Sequence, residues 1–213
     1  MKVTIAEEIL LLAHKEDDGK PLIPSTQLDP ALAGALLAEL AVNERVTLDG
    51  KKVQLVDPTP LGDEELDAVL AAIAEGKERK AAWWVQKLQS VKLRARLLTR
   101  LARAGVLAEE RAKVLGLFPT TRWPEVDGRT EAEVRERVAS ALGGADPTAR
   151  TAVLIAVMHA AKLDRKAFPG ADKARVKEIA EGAWAAEAVA QTITAIHAAI
   201  AVTAATSAVV AAS

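Results

Sequence analysis

Residues 29–56 have the sequence DPALAGALLAELAVNERVTLDGKKVQLV, in which a helical pattern gives way to an alternating one. Asp29-Pro30 combines an N-cap with a favourable first helical residue, so we expect a helix from there to about Asn43. The alternating runs that follow flank Asp49-Gly50, the residue pair that a tight two-residue hairpin turn prefers. The segment therefore predicts a helix followed by a β-hairpin. The predicted strands are residues 46–48 and 52–56.

The rest of the chain is dominated by helical periodicity. Upstream, Thr4 and Glu7 form a capping box before an apolar pattern that we expect to end near His14. The other predicted helices are residues 62–75, 79–104 (with a break allowed near Ser90), 130–142, 147–161, 171–181 and 184–206. Leu97–Ala102 echoes Leu36–Ala41, which precedes the first hairpin, so we expect a second hairpin around Lys113 to Phe118. The fold class is therefore mainly α, a compact helical domain over residues 1–213 with two small β-hairpins.

The composition is typical of one helical domain in a reducing compartment. Half of the 213 residues are hydrophobic but only 3% are aromatic, so alanine, leucine and valine must fill the interior, as close-packed helices allow. The chain has no cysteine, which excludes disulfides, thiolate metal sites and thiol nucleophiles. Glu7 and Glu8 lie where a secretory signal needs an unbroken apolar core. We therefore expect a cytoplasmic protein.

Residues 188–212 form a run of 25 residues without a formally charged side chain. A helix of this length could cross a bilayer. The run is rich in alanine and threonine, contains Gln191 and His197, and lacks flanking cations, which favours a packed helix over a spanning one. We therefore expect the domain to be built around this central apolar C-terminal helix.

The residues that usually carry catalysis show no catalytic pattern. His14, His159 and His197 are too dispersed for a local metal pair and are more often partnered structural histidines. The acidic clusters 16–18 and 63–65 lack the alternating ligands of a calcium loop and are typical of solvated turns or helix starts. There is no glycine-rich phosphate loop and no nucleophile elbow. We therefore expect no metal, no cofactor and no enzymatic activity.

The strongest functional signal is a segment from Lys87 to Ala108 that contains no acidic residue. On a helix, Arg96, Arg100 and Arg103 share one face, while the leucines between them can pack against the core. Such a face attracts phosphate groups. Alternatively, these cations pair with Glu109, Glu110 and acids from elsewhere in the fold. The cations of the segment are Lys87, Lys92, Arg94, Arg96, Arg100 and Arg103.

Two apolar features lie on either side of this segment. Val114 to Pro119 is an apolar run between Lys113 and Arg122, a pattern that suits an anionic bilayer interface and that an ordinary buried strand would explain equally well. Trp83-Trp84 is an adjacent pair of which one ring should point inward, so we expect half of it in the core and half at the surface.

Five segments in the same order along the chain resemble the Golgi phosphoprotein 3 family. They are Thr4–Leu12, Gly34–Ala41, Thr59–Asp63, Leu101–Leu107 and Arg150–Ala160. The resemblance implies a compact, mainly helical domain around a central apolar helix and peripheral membrane association through phosphatidylinositol 4-phosphate. It also implies an apolar hairpin that inserts into the bilayer and supports oligomerisation. In eukaryotic members it further implies retention of glycosyltransferases in the Golgi.

The family's lipid pocket is only partly matched. Pro24 stands where the family has a tryptophan, Ala33 and Val91 stand where it has arginines, and Arg94 alone matches. Each lost charge-assisted contact is worth about 1.5–3 kcal/mol, which weakens the expectation of phosphatidylinositol 4-phosphate recognition. The alanine and arginine bias, with a start close to the first family motif, suggests a bacterial member, to which the Golgi role does not transfer.

These observations predict an adaptor that is peripherally associated with a membrane and holds an unidentified protein client, with a homo-oligomer as one expected form. Its predicted anionic-lipid headgroup contacts are Arg94, Arg96 and Arg100, and its predicted membrane-inserting hairpin residues are Val114, Leu115, Leu117 and Phe118. One rival is a winged-helix-like DNA-binding protein that uses the same arginines, although nucleic acid is the less expected partner. The other rival is a protein-only oligomeric scaffold.

Overall fold

The computed structural model of the protein describes residues 3–15, 19–114, 118–182 and 187–211, of which 111–120, 187–193 and 207–211 are described by their backbone alone. Across these ranges the helices are α1 (Ile5–Leu12), α2 (Ser25–Val42), α3 (Glu64–Glu75), α4 (Ala81–Leu88), α5 (Val91–Arg103), α6 (Arg129–Leu142), α7 (Ala149–Ala160), α8 (Asp164–Ala167), α9 (Lys173–Ala180) and α10 (Glu187–Ala211). The strands are β1 (Val46–Asp49), β2 (Lys52–Leu55), β3 (Arg79–Lys80), β4 (Glu110–Val114) and β5 (Phe118–Arg122). The predicted mainly α class with small β-hairpins is confirmed.

The first hairpin has the predicted turn. β1 and β2 pair antiparallel with Asp49 opposite Lys52, and Gly50 in the turn has a φ of 59°, a conformation that glycine adopts without strain. A short third strand, β3, was not predicted, because Arg79-Lys80 follows the helical pattern of the residues after it. β3 pairs with β2 through Lys80 opposite Lys52, so the helix starts only at Ala81.

The second hairpin is formed by β4 and β5, which pair antiparallel from Glu110 opposite Arg122 to Val114 opposite Phe118. The prediction around Lys113 to Phe118 is therefore confirmed for the two strands, which extend further from the tip than expected. Leu115 and Leu117, two of the predicted membrane-inserting residues, lie outside the described residues.

Helix α2 begins a full turn earlier than predicted. Asp29 is not an N-cap: α2 starts at Ser25 after Pro24, and Pro30 lies inside the helix. The reason is that the Asp29 carboxylate forms an ion pair with Arg94 of α5 and does not cap the backbone. Two other start signals were interpreted correctly. The Thr4 and Glu7 capping box is formed at α1, and Ser90 breaks the predicted 79–104 helix by capping α5, its hydroxyl accepting from Leu93 N at 3.0 Å.

Helix α1 is buried along its whole length, and α2 is buried on all sides from Ala31 to Leu40. In α7 the residues from Thr151 to Met158 are buried as well. The C-terminal helix α10 packs against α2, α4 and α7, and the buried side chains among its residues 194–206 form one face. Ile196 and Ile200 lie on that face, whereas the alanines around them offer little apolar area to bury.

The contact between α2 and α10 depends on a glycine. A Cβ at Gly34 would overlap the Cδ1 and Cγ1 atoms of Ile200, so only a glycine allows the two helices to approach this closely. Across the described ranges, no helix combines the length and the apolar character needed to cross a bilayer.

Candidate functional site

Helix α5 carries the cationic segment and is strongly amphipathic. Its four leucines, Leu93, Leu97, Leu98 and Leu101, are buried against the core. The arginines and Lys92 occupy the rest of the helix surface, where their charged groups can stay near water. The sequence pattern therefore predicted correctly which side of this helix faces the core.

Arg100 lies between two acids from distant parts of the chain. Its Nε donates to Glu7 Oε1 and its Nη1 donates to Asp63 Oδ2, both at 2.6 Å. The Glu7 side chain is only 1% exposed, so without Arg100 its carboxylate would lie in the interior with no cation beside its Oε1 atom. Burial alone would lower the pKa of Arg100, but the hydrogen bond and charge of Glu7, together with Asp63, raise it above the ordinary arginine value.

Arg96 and Arg94 are paired in the same way. Arg96 donates from Nε and Nη2 to the two carboxylate oxygens of Glu65 in α3, and this hydrogen bonding raises the pKa of Arg96. Arg94 Nη1 donates to Asp29 Oδ1 in α2 at 2.5 Å. Burial raises the pKa of Asp29, and the charge and hydrogen bond of Arg94 oppose this rise without cancelling it.

Arg94, Arg96 and Arg100 therefore pair with acids from elsewhere in the fold. This is the alternative that the sequence offered to a face dedicated to phosphate groups. Their partners come from α1, α2, α3 and the residue before α3. Among the three, Arg96 is the most accessible, with 55% of its side chain exposed, and Lys92 and Arg103 on the same helix are also exposed. The role of Arg94, Arg96 and Arg100 in headgroup binding stays a prediction.

The positions that the resemblance assigns to a lipid pocket differ in their accessibility. Pro24, at the start of α2, and Val91, at the start of α5, are both exposed. Ala33 is fully buried in α2, where its side chain cannot face a lipid. Arg94 is held by Asp29. A cation is therefore present at one of these four positions, and that cation already has a partner.

A second group of ion pairs, which the sequence did not reveal, lies beneath α1. Glu39 of α2 accepts from Ile5 N at 2.7 Å and from the guanidinium of Arg150 in α7. Glu8 pairs with Arg150 at 3.3 Å and with Arg137 of α6 at 2.9 Å. The available signal was the presence of glutamates inside otherwise apolar helical patterns. These pairs fasten α1 to α2, α6 and α7.

The histidines have structural partners. His14 Nδ1 lies 2.7 Å from the Leu10 carbonyl oxygen, and His159 Nδ1 lies 2.9 Å from Asp164 Oδ2. The His197 ring stacks on that of His159 with centroids 5.6 Å apart. Within the described part of the chain, no group of three or more metal-ligating side chains comes together.

Comparison with known proteins found a matching family model and a similar protein from a yeast. The family model described as Golgi phosphoprotein 3 matches residues 5–196. A relative from Schizosaccharomyces pombe, the vacuolar protein sorting-associated protein 74, is 27% identical over 164 residues. The match covers 66% of this chain and 48% of the relative, so the chain spans about half the length of that protein.

Proposed function

Because the chain belongs to the Golgi phosphoprotein 3 family, we propose that it is a peripheral membrane-associated binding protein that docks on anionic lipid headgroups and holds a protein client. The family match confirms the resemblance found in the sequence. The relative's name places that protein in vacuolar protein sorting, and a sorting adaptor is the role that we propose for this chain as well. The proposed location is the cytoplasmic side of a membrane.

The observation that carries the proposal is the cationic outer surface of α5. Val91, Lys92 and Arg103 are exposed on this helix beside Arg96. Glu65 accepts hydrogen bonds from Nε and Nη2 of Arg96. Among the described contacts Nη1 donates to no acid, so it can donate to a phosphate oxygen. We therefore propose Arg96 as the main headgroup contact of the predicted set, with Arg94 and Arg100 acting through their ion pairs to hold α5 in place.

The proposed lipid preference is for negative charge in general. Pro24, Ala33 and Val91 supply neither the aromatic ring nor the cations that the family resemblance implies for a phosphatidylinositol 4-phosphate pocket. An exposed cationic helix attracts anionic surfaces by charge, and this attraction is screened by salt. Insertion of the predicted hairpin residues Val114, Leu115, Leu117 and Phe118 would add apolar burial to the electrostatic attraction.

The test is co-sedimentation with vesicles of phosphatidylcholine alone or mixed with phosphatidylglycerol, cardiolipin or phosphatidylinositol 4-phosphate. We expect binding to all three anionic mixtures at low salt, loss of binding as salt rises, and no binding to phosphatidylcholine. Arg96→Gln should weaken binding severalfold. Arg129→Gln, at an exposed arginine at the start of α6, is the matched control for charge. Indifference to every anionic mixture at low salt would reject the proposal.

Two further measurements separate the rivals. A DNA-binding protein would shift duplex DNA at low salt with a steep salt dependence, because binding releases counterions. We expect no such shift. Leu117→Asp should reduce vesicle binding if the hairpin inserts into the bilayer. If the protein is a scaffold without lipid affinity, the same substitution changes the oligomeric state while neither form binds vesicles.

A further inference from the structure

A groove of about 700 Å³ lies between α4, β3 and the exposed side of α10. Its wall is mainly apolar, and two of its side chains are large and unusually accessible: Trp83 is 39% exposed and Val202 is 61% exposed. Ala82, Thr203 and Thr206 continue this wall. The volume falls within the range of about 300–1,000 Å³ that is typical of small-molecule sites.

Two cations, Arg79 and Lys80, line the aromatic side of the groove, and a third, Lys87, contacts the Trp83 ring without lining the groove. The guanidinium carbon of Arg79 lies 5.3 Å from the centroid of the Trp83 ring, and Lys87 Nζ lies 4.9 Å from the same centroid. Lys80 is also exposed at the rim. Among the described contacts, none of these three cations has a carboxylate partner. In this they differ from Arg94, Arg96 and Arg100, each of which has a carboxylate partner.

In its described part, the opposite wall of the groove, formed by α10, contains no acidic side chain that could pair with these cations. From Thr194 to Thr206, α10 carries no acidic or basic side chain other than the partly buried His197. Among the lining residues that the structure describes, Glu78 is the one carboxylate, and it already lies 3.6 Å from Lys52. The groove thus combines an apolar wall with a rim whose positive charge is not neutralised by its own surroundings.

We propose that this groove binds a single molecule of an anionic amphiphile. Its apolar chain lies along Trp83 and Val202, and its acidic head meets Arg79 and Lys80. Burial of the ligand's apolar chain removes apolar surface from water. The Trp83 ring, whose face Arg79 contacts, accepts no charge-assisted hydrogen bond, whereas an acidic head accepts such bonds from both cations. The site is distinct from the outer surface of α5 and does not depend on the membrane docking proposed above.

The test uses 9,10-dibromostearate below its micellar concentration, because bromine quenches the emission of nearby tryptophans. We expect saturable quenching at one ligand per chain, and at least tenfold weaker binding of the uncharged methyl ester. The double variant Arg79→Gln/Lys80→Gln should weaken binding of the acid about tenfold and that of the ester less than twofold. Equal affinity of the acid and the ester for the unaltered protein would overturn the proposal.

A matched pair of exposed valines locates the site. Val202→Glu should weaken binding of the acid at least tenfold, whereas Val126→Glu, at a valine of similar exposure outside the groove, should leave it unchanged. Circular dichroism and melting temperature establish that both variants fold. Arg96→Gln should not alter quenching even where it reduces vesicle binding, so failure of membrane docking and failure of the groove are distinguishable. Quenching that follows Arg96 and not Val202 would overturn the assignment.

The source of the amphiphile is settled by a second arm of the same experiment. Phosphatidylglycerol with brominated chains is supplied in vesicles and compared with the free acid in solution. Greater Val202-dependent quenching by the vesicles identifies a lipid taken from the bilayer, and greater quenching by the acid identifies a soluble ligand. Both results support the groove, and the absence of Val202-dependent quenching in both arms contradicts it.

Discussion

The Nε of Arg100 in α5 donates to Oε1 of Glu7 in α1 at 2.6 Å, across 93 residues of sequence. The other oxygen of the same carboxylate accepts from the backbone N of Thr4 at 2.8 Å and completes the capping box of α1. One buried acid therefore both starts the first helix and holds the cationic helix against it. The basic segment is consequently part of what stabilises the fold.

Removal of the Arg100 charge should destabilise the protein. Arg100→Met leaves Glu7 buried without its cation, and breaking such a pair typically costs about 3–5 kcal/mol. We expect about 3 kcal/mol, since the Arg100 side chain is partly exposed. Urea unfolding measures the loss. Arg103→Met, at an exposed position of the same helix, should change the free energy of unfolding by less than about 0.5 kcal/mol.

Adding Glu7→Gln to Arg100→Met should recover part of this loss, because no unpaired charge is then buried. A double variant that is no more stable than Arg100→Met would show that an unpaired charge at Glu7 is not the source of the loss, since a glutamine can still accept from Thr4 N.

The close contact of α2 with α10 predicts an unusual response to alanine. Gly34→Ala would normally favour a helix by about 1 kcal/mol. Here the new Cβ would meet Ile200, and overpacking of a core typically costs about 1–3 kcal/mol. We expect a net loss of stability in thermal and urea unfolding.

A double-mutant cycle identifies Ile200 as the cause. Ile200→Ala alone should cost about 2–5 kcal/mol through the cavity that it leaves. In the Gly34→Ala background the cost of Ile200→Ala should be smaller, because the shortened side chain makes room for the added methyl group. Strict additivity of the two changes would show that the two helices do not meet in this way.

The buried histidines predict a loss of stability on mild acidification. Burial lowers the pKa of His14 below its ordinary value of 6.5, and burial together with the charge of His159 lowers that of His197. The unfolded chain therefore binds protons more readily, and stability is lost as the pH falls below about 6.5 towards the folded-state pKa values.

Urea unfolding at pH 7.5 and pH 5.5 measures this effect as a difference between proteins. The double variant His14→Gln/His197→Gln should lose less stability over this interval than the unaltered protein. The comparison also cancels the opposite contributions of Asp29 and Glu39, whose pKa values are raised by burial. An identical loss in both proteins would assign the pH dependence to other groups.

Local signals predicted the elements that local interactions decide. The capping box at Thr4, the turn at Asp49-Gly50 and the break at Ser90 each depend on hydrogen bonds or backbone angles within a few residues. The Trp83-Trp84 pair also divided as expected, with Trp84 buried and Trp83 at the surface. In each case the spacing of the residues contains the physical cause.

The ion pairs are not encoded in this local way. Arg96 reaches Glu65 across 31 residues and Arg94 reaches Asp29 across 65. A basic run without nearby acids therefore indicated a binding surface, although three of its members pair inside the fold. The error at the start of α2 has the same origin, because Asp29 was interpreted as a cap for its own helix while its partner lies in α5.

The carboxylate of Glu39 has a consequence for the order in which the chain can assemble during synthesis. It joins the start of α1 to Arg150 of α7. The ion pair between Glu39 and Arg150 therefore cannot form until residue 150 has left the ribosome. Contacts of such sequence separation slow folding, and the apolar faces of α1 and α2 stay uncovered meanwhile. Nascent chains from which residue 150 has not yet emerged should therefore be substrates for chaperones.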